Sequence, residues 1–384
     1  MHFAGSVTRR ARGGPFNERG GPIRGLLDLA AGRYPSFLFG GGLGGFLPVF
    51  HFHEVTAAWL EPRLRFLAEN GYQTVGSDAI ARLVRDGIHP GPFRVALCFD
   101  DAWASLWTVA GPLLKRYGLM AIAYVIPGRV ADASSCRPTL DEDPSAADGS
   151  ADRSSTPLAT WPELKALHDA GTVEMQSHTD SHAMIFCDDA VSGFVDRSYT
   201  AAWLARPLVS AEPVRFQDRN ELGAPLFLQR SRLSDAPRFI VDERYRERAL
   251  AHVADHGGPA FFDQGDWRAS LARALEPMPK GRFESPDEQR RAIVDELARS
   301  RATLEDRLGS HTVRHVCFPW GVAGDLALET ARATGYLTAF SNQMPGSYAV
   351  RAGDPPYRLK RLNSKHLLRL PRPGRRDGVQ NRAS

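Results

Sequence analysis

The chain has 384 residues, enough to bury one large core or two ordinary ones. Hydrophobic residues make up 43% and charged residues 24%, the balance of a globular protein and not of a disordered or membrane-embedded one. The formal charge of +4, carried almost wholly by arginine and closely matched by acids, is too mild to indicate nucleic acid binding.

Residues 1–45 read as an irregular N-terminal extension. Its first stretch is rich in Arg and Gly and lacks the sustained apolar run of a secretory signal. The apolar stretch from Phe37 to Phe50 falls well short of the ~20 residues of a membrane helix, so no integral membrane segment is expected. A cytoplasmic location is the default expectation, with association with the cell envelope left open.

Regular elements begin at Pro48. A strand is predicted over Pro48–Phe52, then a helix capped by Thr56 and running to Asn70, a strand over Tyr72–Val75 and a helix over Ser77–Arg85. Arg94–Phe99 is a strand of apolar and β-forming residues that runs straight into two aspartates. A helix over Ala102–Tyr117 and a strand over Ala121–Ile126 follow. Residues 130–158, rich in Ser, Asp, Ala and Pro, read as a mobile surface insertion.

A helix over Trp161–Ala170 and a strand over Thr172–Ser177 restore the rhythm. A second, lid-like insertion, irregular and proline-bearing, spans about 188–284. Ser285-Pro286-Asp287-Glu288 starts a helix that runs to Leu308, because Ser caps, Pro suits the first helical position and Glu completes a capping box. Strand Val313–Phe318, helix Asp325–Thr334 and strand Tyr336–Phe340 finish the domain of residues 46–370, and 371–384 read as a disordered tail. The alternation of strand and helix predicts an α/β fold with a parallel sheet. The four cysteines are far apart and form no CxxC pair, so they are expected to be reduced and structural.

Two short motifs carry chemistry. Asp100 and Asp101 follow directly on the strand Arg94–Phe99, where a carboxylate pair needs a cation, hydrogen bonds or a helix to cap. His178 and His182 follow the strand ending at Ser177, with the four-residue spacing that lets two imidazoles reach one ion. Either motif alone has an ordinary structural explanation. Together they sit at the carboxyl ends of parallel strands, where α/β barrels assemble active sites from loops. One Asp and two His make a metal-binding set, and the other Asp is left free as a base.

The order Phe99-Asp100-Asp101, then Ser177-His178-Thr179-x-x-His182, then Phe318-Pro319-Trp320-Gly321 resembles the NodB homology domain of the polysaccharide deacetylase family. The segments Phe50-His51-Phe52-His53-Glu54-Val55 and Asn70-Gly71-Tyr72-Gln73-Thr74-Val75 are similar to it as well. The resemblance covers about 48–127, 160–185 and 312–342. It implies an incomplete (β/α)7 barrel and a hydrolase that removes acetyl groups, most often N-acetyl, from a carbohydrate. It further implies Asp100 as general base, and Asp101, His178 and His182 as ligands of a divalent metal, zinc by default. Phe318, Pro319, Trp320 and Gly321 then line the substrate groove.

Three departures from the family pattern stand out. Ala102 replaces a frequent glycine, and Cys317 occupies about the place of an arginine in the third motif. The late Leu-x-His motif that supplies the general acid has no counterpart, which leaves His53, after the first strand, and His366 as candidates, with His51 two residues before His53. Two alternatives remain beside the deacetylase reading: hydrolysis of another amide, and a catalytically silent carbohydrate-binding protein of the same fold.

Overall fold

The computed structural model describes residues 34–148, 156–341 and 349–372. Two compact units emerge from it, one formed by Ala183–Arg290 and one by the described residues on either side of that stretch.

The larger unit opens with β1 (Val49–Phe52) and α1 (Ala57–Glu69), whose Thr56 hydroxyl caps the Trp59 amide as the sequence predicts. β2 (Gln73–Thr74), α2 (Ser77–Asp86) and β3 (Arg94–Asp101) follow. β3 is the central strand, buried along nearly its whole length. The predicted helix over Ala102–Tyr117 starts later than expected: Ala102 has φ 58°, the chain then makes one π-helical turn over Leu106–Ala110, and α3 covers only Gly111–Arg116. Alanine's high helix propensity misleads here, because the turn after Asp101 demands left-handed backbone.

β4 (Ala121–Val125) is buried at every position. Within the segment read as a mobile insertion, Arg137 is anchored. Arg137 grips the fully buried carboxylate of Glu163 through Nε and Nη2 at 2.8 and 2.6 Å and donates to the carbonyls of Thr156 and Leu158. Glu163 also accepts the Thr160 amide, completing the capping box of α4 (Trp161–Asp169), which leads to β5 (Val173–Ser177).

The stretch read as an irregular insertion is a small folded unit. β6 (Met184–Phe194) pairs antiparallel with β9 (Pro225–Ser231), around the hairpin of β7 (Leu208–Ala211) and β8 (Val214–Phe216). β10 (Phe239–Val241) pairs with β11 (Gly281–Phe283), and between them lie α5 (Glu243–Asp255) and α6 (Trp267–Leu275). Phe186, Phe227, Phe239, Tyr245, Phe261 and Trp267 form its own core. Its weak periodicity in sequence reflects strands of three or four residues, too short to display alternation.

α7 (Pro286–Leu308) begins with the predicted capping box, Ser285 and Glu288 exchanging hydrogen bonds of 2.7 and 3.2 Å. β12 (His315–Cys317), α8 (Asp325–Ala333), β13 (Thr338–Phe340) and β14 (Leu362–Asn363) complete the larger unit. Its strands run in the order β13-β12-β5-β4-β3-β1-β14, every pairing parallel, with β2 beside β3. This is the curled seven-strand half-barrel that the sequence predicts. Residues 359–363 touch both of its edges, since Leu359 bridges Phe340 of β13 while Leu362 and Asn363 pair with β1. Leu47, Val49, Ala96, Cys98, Ile122, Tyr124, Cys317 and Phe340 pack in the core. The expected extension 1–45 is described only from Tyr34, and its Phe37 is buried. Of the expected tail, only Pro371 and Arg372 lie among the described residues.

Candidate active site at the carboxyl ends of the strands

Sheet register brings the chemistry together. Asp101 on β3 pairs with Val125 on β4, and Val125 pairs with Ser177 on β5. Parallel neighbours are about 4.8 Å apart, so His178, one residue past Ser177, emerges two strands from Asp101 on the same rim. The His178 amide bonds Val125 O at 2.7 Å and fixes that exit.

Asp101 Oδ1 lies 3.3 Å from His178 Nε2 and 3.5 Å from His182 Nε2, and all three residues are buried. Its other oxygen accepts the Trp103 indole N–H at 2.9 Å. Trp103 thus orients a carboxylate. The His178 Nδ1 lies 2.6 Å from the Cys317 carbonyl, which can only accept, so Nδ1 carries a proton and Nε2 is the ring nitrogen turned to Asp101. Asp101 Oδ1 receives no hydrogen bond although buried. Two ring nitrogens and a buried carboxylate oxygen facing one another call for a positive charge among them, a proton or a metal ion.

The electrostatics agree. Burial opposes a charged His178, yet Cys317, Asp101 and Asp100 hold its proton affinity well above the ordinary value. Burial likewise opposes ionisation of Asp101, and the surrounding imidazoles outweigh it. The three donor atoms lie within 4.8 Å of one another, and one carboxylate with two imidazoles suits a divalent transition metal.

Asp100 differs from Asp101. Arg361 binds it with both guanidinium nitrogens, at 2.6 and 2.7 Å, and both side chains are buried. Burial works against the charge on Asp100, and the guanidinium overcomes it, holding the carboxyl far below the usual carboxylate range. Arg361 Nη2 also lies 3.0 Å from Cys317 Sγ. Two other close groups of ligand-type atoms, Asp100 with His178 and Cys317 and Asp100 with His51 and His53, therefore already hold a cation, the guanidinium. Arg361 escaped the sequence reading because no motif surrounds it. It supplies the positive charge that Cys317 does not.

His53 Nε2 is 3.8 Å from Asp100 Oδ2, and its side chain is half exposed. His53 lines a cavity of about 400 Å³ with His51, Glu54, Trp59, Asn363 and Ser364. His51 is largely buried, and burial with the nearby Arg361 lowers its pKa to about 4, so its ring stays neutral. His366 lies on the 3-10 turn Ser364–Arg369, where its charged neighbours are Lys365 and Arg369. Of the four residues read as groove lining, Phe318, Pro319 and Gly321 are buried, and Trp320 is partly exposed with its ring 4.1 Å from that of His182.

Backbone strain gathers in this region. Asp101, Ala102, Thr179, His182 and Trp320 all have φ between 54° and 66°, five of the seven non-glycine residues with positive φ among the described residues. Each such residue costs on the order of 1 kcal/mol, which the surrounding packing and hydrogen bonds offset.

Among known proteins, residues 88–200 match the family model described as polysaccharide deacetylase. YxkH of Bacillus subtilis (strain 168), which is named after the polysaccharide deacetylases, is 26% identical over 88 residues, covering 21% of this chain and 32% of the relative. The chain thus spans about a third of the curated relative it matches. A solved de-N-acetylase from Aggregatibacter actinomycetemcomitans shares the fold with a TM-score of 0.50 at 18% identity, covering 83% of this chain and 94% of the other. IcaB from Ammonifex degensii aligns with a TM-score of 0.47 at 15% identity, over 85% of this chain and 95% of its own. Residues 88–200, which carry Asp100, Asp101, His178 and His182, are thus the part of the chain that is similar to the polysaccharide deacetylase family.

Proposed function

We propose that the chain is a metal-dependent hydrolase that removes acetyl groups, N-acetyl in the first place, from an acetylated carbohydrate. The observation that carries the reading is the division of labour between adjacent carboxylates. Asp101 faces two imidazole nitrogens, while Asp100 is neutralised and oriented by Arg361.

Asp101, His178 and His182 would hold the metal, zinc by default. When bound there, the cation supplies Lewis acidity to the acetyl carbonyl and makes a nearby water more acidic. Asp100 receives the proton of the attacking water. Its depressed pKa makes it a weak base, so its contribution rests on being ionised, aimed and close. His53 stands beside Asp100 on the solvent side and delivers a proton to the departing amine. Trp320 covers one face of His182 and walls the site. Acetate and a sugar amine are the products.

The test is metal content by mass spectrometry on protein purified without added metal, beside Asp101→Ala and His178→Ala, followed by acetate release from acetylated amino-sugar oligomers. About one transition metal per chain, absent from both folded variants, together with acetate release, supports the reading. Sugar binding without acetate release would favour a silent binding protein. No metal after reconstitution with zinc or cobalt would sink the mechanism.

A further inference from the structure

The loop Ser177–His182 carries two of the three metal-ligand candidates, yet it has left-handed backbone at Thr179 and His182. Such a loop keeps its shape only if its polar groups are held from outside. α7 holds one side of it. The Glu296 carboxylate accepts the Ser181 amide at 3.0 Å through one oxygen and the Ser181 hydroxyl through the other. The Glu296 carbonyl accepts the Asp180 amide at 3.1 Å. One turn further along the helix, Ser300 Oγ lies 2.7 Å from Ser177 Oγ, which in turn accepts the Thr179 amide at 3.1 Å.

Positions 296 and 300 are four apart, so both face the loop, in line with the buried Ile293, Leu297 and Leu304. The turn after β4 holds the other side. Gly128 N–H donates to Asp180 O at 2.9 Å and Arg129 Nε to Ser181 O at 3.0 Å. Gly128 has no room for a side chain, since a Cβ there would stand 2.6 Å from Asp180 O. The glycine is fixed by the closeness of the two backbones. Of these groups only Glu296 is a charged acceptor with both oxygens on the loop, and it lies more than 90 residues beyond the segment matched to the family.

We infer that Glu296 is a positioning residue for the metal-binding loop. Through Ser181 it fixes where His178 and His182 stand relative to Asp101, with Ser300 as its partner one helical turn away. It touches none of the reacting atoms. The inference rests on the metal reading for its consequence, though the clamp itself is a property of the loop. Partners of this kind alter metal affinity by roughly 10–100-fold. A glutamine at 296 keeps a single acceptor for Ser181 and is expected to lie between wild type and alanine.

The experiment compares wild type, Glu296→Gln, Glu296→Ala and Ser300→Ala, each stripped of metal. Cobalt(II) is titrated in while the visible absorption of the bound ion is recorded, and amide hydrogen exchange is followed over residues 177–183 in the metal-free proteins. Expected are faster exchange in the loop of Glu296→Ala, a roughly 10–100-fold weaker cobalt affinity with an altered spectrum, and partial recovery in Glu296→Gln. Wild-type exchange in Glu296→Ala overturns the clamp whatever the metal does. Faster exchange with unchanged cobalt affinity and spectrum overturns the positioning role. If wild-type protein binds no cobalt, the metal reading fails, and the positioning role fails with it, while the exchange data still judge the clamp. Should Glu296→Ala not fold, Glu296→Gln and Ser300→Ala carry the same comparisons.

Discussion

Arg361 and Asp100 are 261 residues apart in sequence and meet through two parallel hydrogen bonds of 2.6 and 2.7 Å. Removing one member of such a buried pair leaves the other charged and uncompensated. Arg361→Met is therefore expected to lower stability by about 3–5 kcal/mol, read from the midpoint of denaturant unfolding. Adding Asp100→Asn should restore much of that stability without restoring acetate release. Arg361→Lys keeps a charge but loses the planar fork, so kcat should fall more than KM rises. A stable, fully active Arg361→Met protein would refute the role of the pair.

His53 and His366 make opposite predictions. His53→Gln should reduce kcat by roughly 10²–10⁴-fold with little change in metal content, as loss of a general acid does. His366→Gln should leave both unchanged. The reverse result would move the acid to the 3-10 turn after β14.

His51 gives a prediction in pH. Its pKa falls from 6.5 to about 4 in the fold through burial and the charge of Arg361, so unfolding takes up a proton between those values. Its contribution to stability is complete above pH 6.5 and shrinks as pH falls toward 4, by about 3 kcal/mol at most. His51→Asn should show a shallower loss of stability than wild type between pH 7 and pH 4.5, measured by urea unfolding. Asp100 behaves differently. Its depressed pKa contributes stability that is fully present above the ordinary carboxylate value and is lost progressively as pH falls below it.

Glu163 should prove structural. Its carboxylate is fully buried, pairs with Arg137 and caps α4. Glu163→Ala is expected to cost about 3 kcal/mol or more and to expose the segment around Arg137 to limited proteolysis, since that arginine loses its anchor. Wild-type resistance to protease in a folded Glu163→Ala variant would show that other contacts hold the segment.

What could be read from the sequence was local. Asp100 and Asp101 follow a strand, His178 and His182 follow another, and the parallel sheet puts both at one rim. Thr56 and Ser285 announced their helices through capping chemistry that needs only neighbouring residues. The missed features depend on distant partners. Arg361 lies beside a two-residue strand with no readable period, and Glu296 is one of several acids on a charged helix. Residues 130–158 looked mobile because their composition is polar, and composition does not reveal that one arginine among them is tied to a buried glutamate. Ala102 looked like the start of a helix because propensity describes a residue's average, and its φ of 58° is imposed by the turn that aims Asp101.

Residues 359–363, which touch both edges of the curled sheet, set an order on the protein's biogenesis. Asp100 leaves the ribosome long before the guanidinium that must neutralise it, because Arg361 follows 261 residues later. Until that segment has been synthesised and lies beside β1, Asp100 has no counter-ion and the curled sheet lacks its last strand. A nascent or prematurely stopped chain can hold both aspartates and both histidines and still leave Asp100 unpaired, so the site as a whole forms only with the last stretch of the sheet.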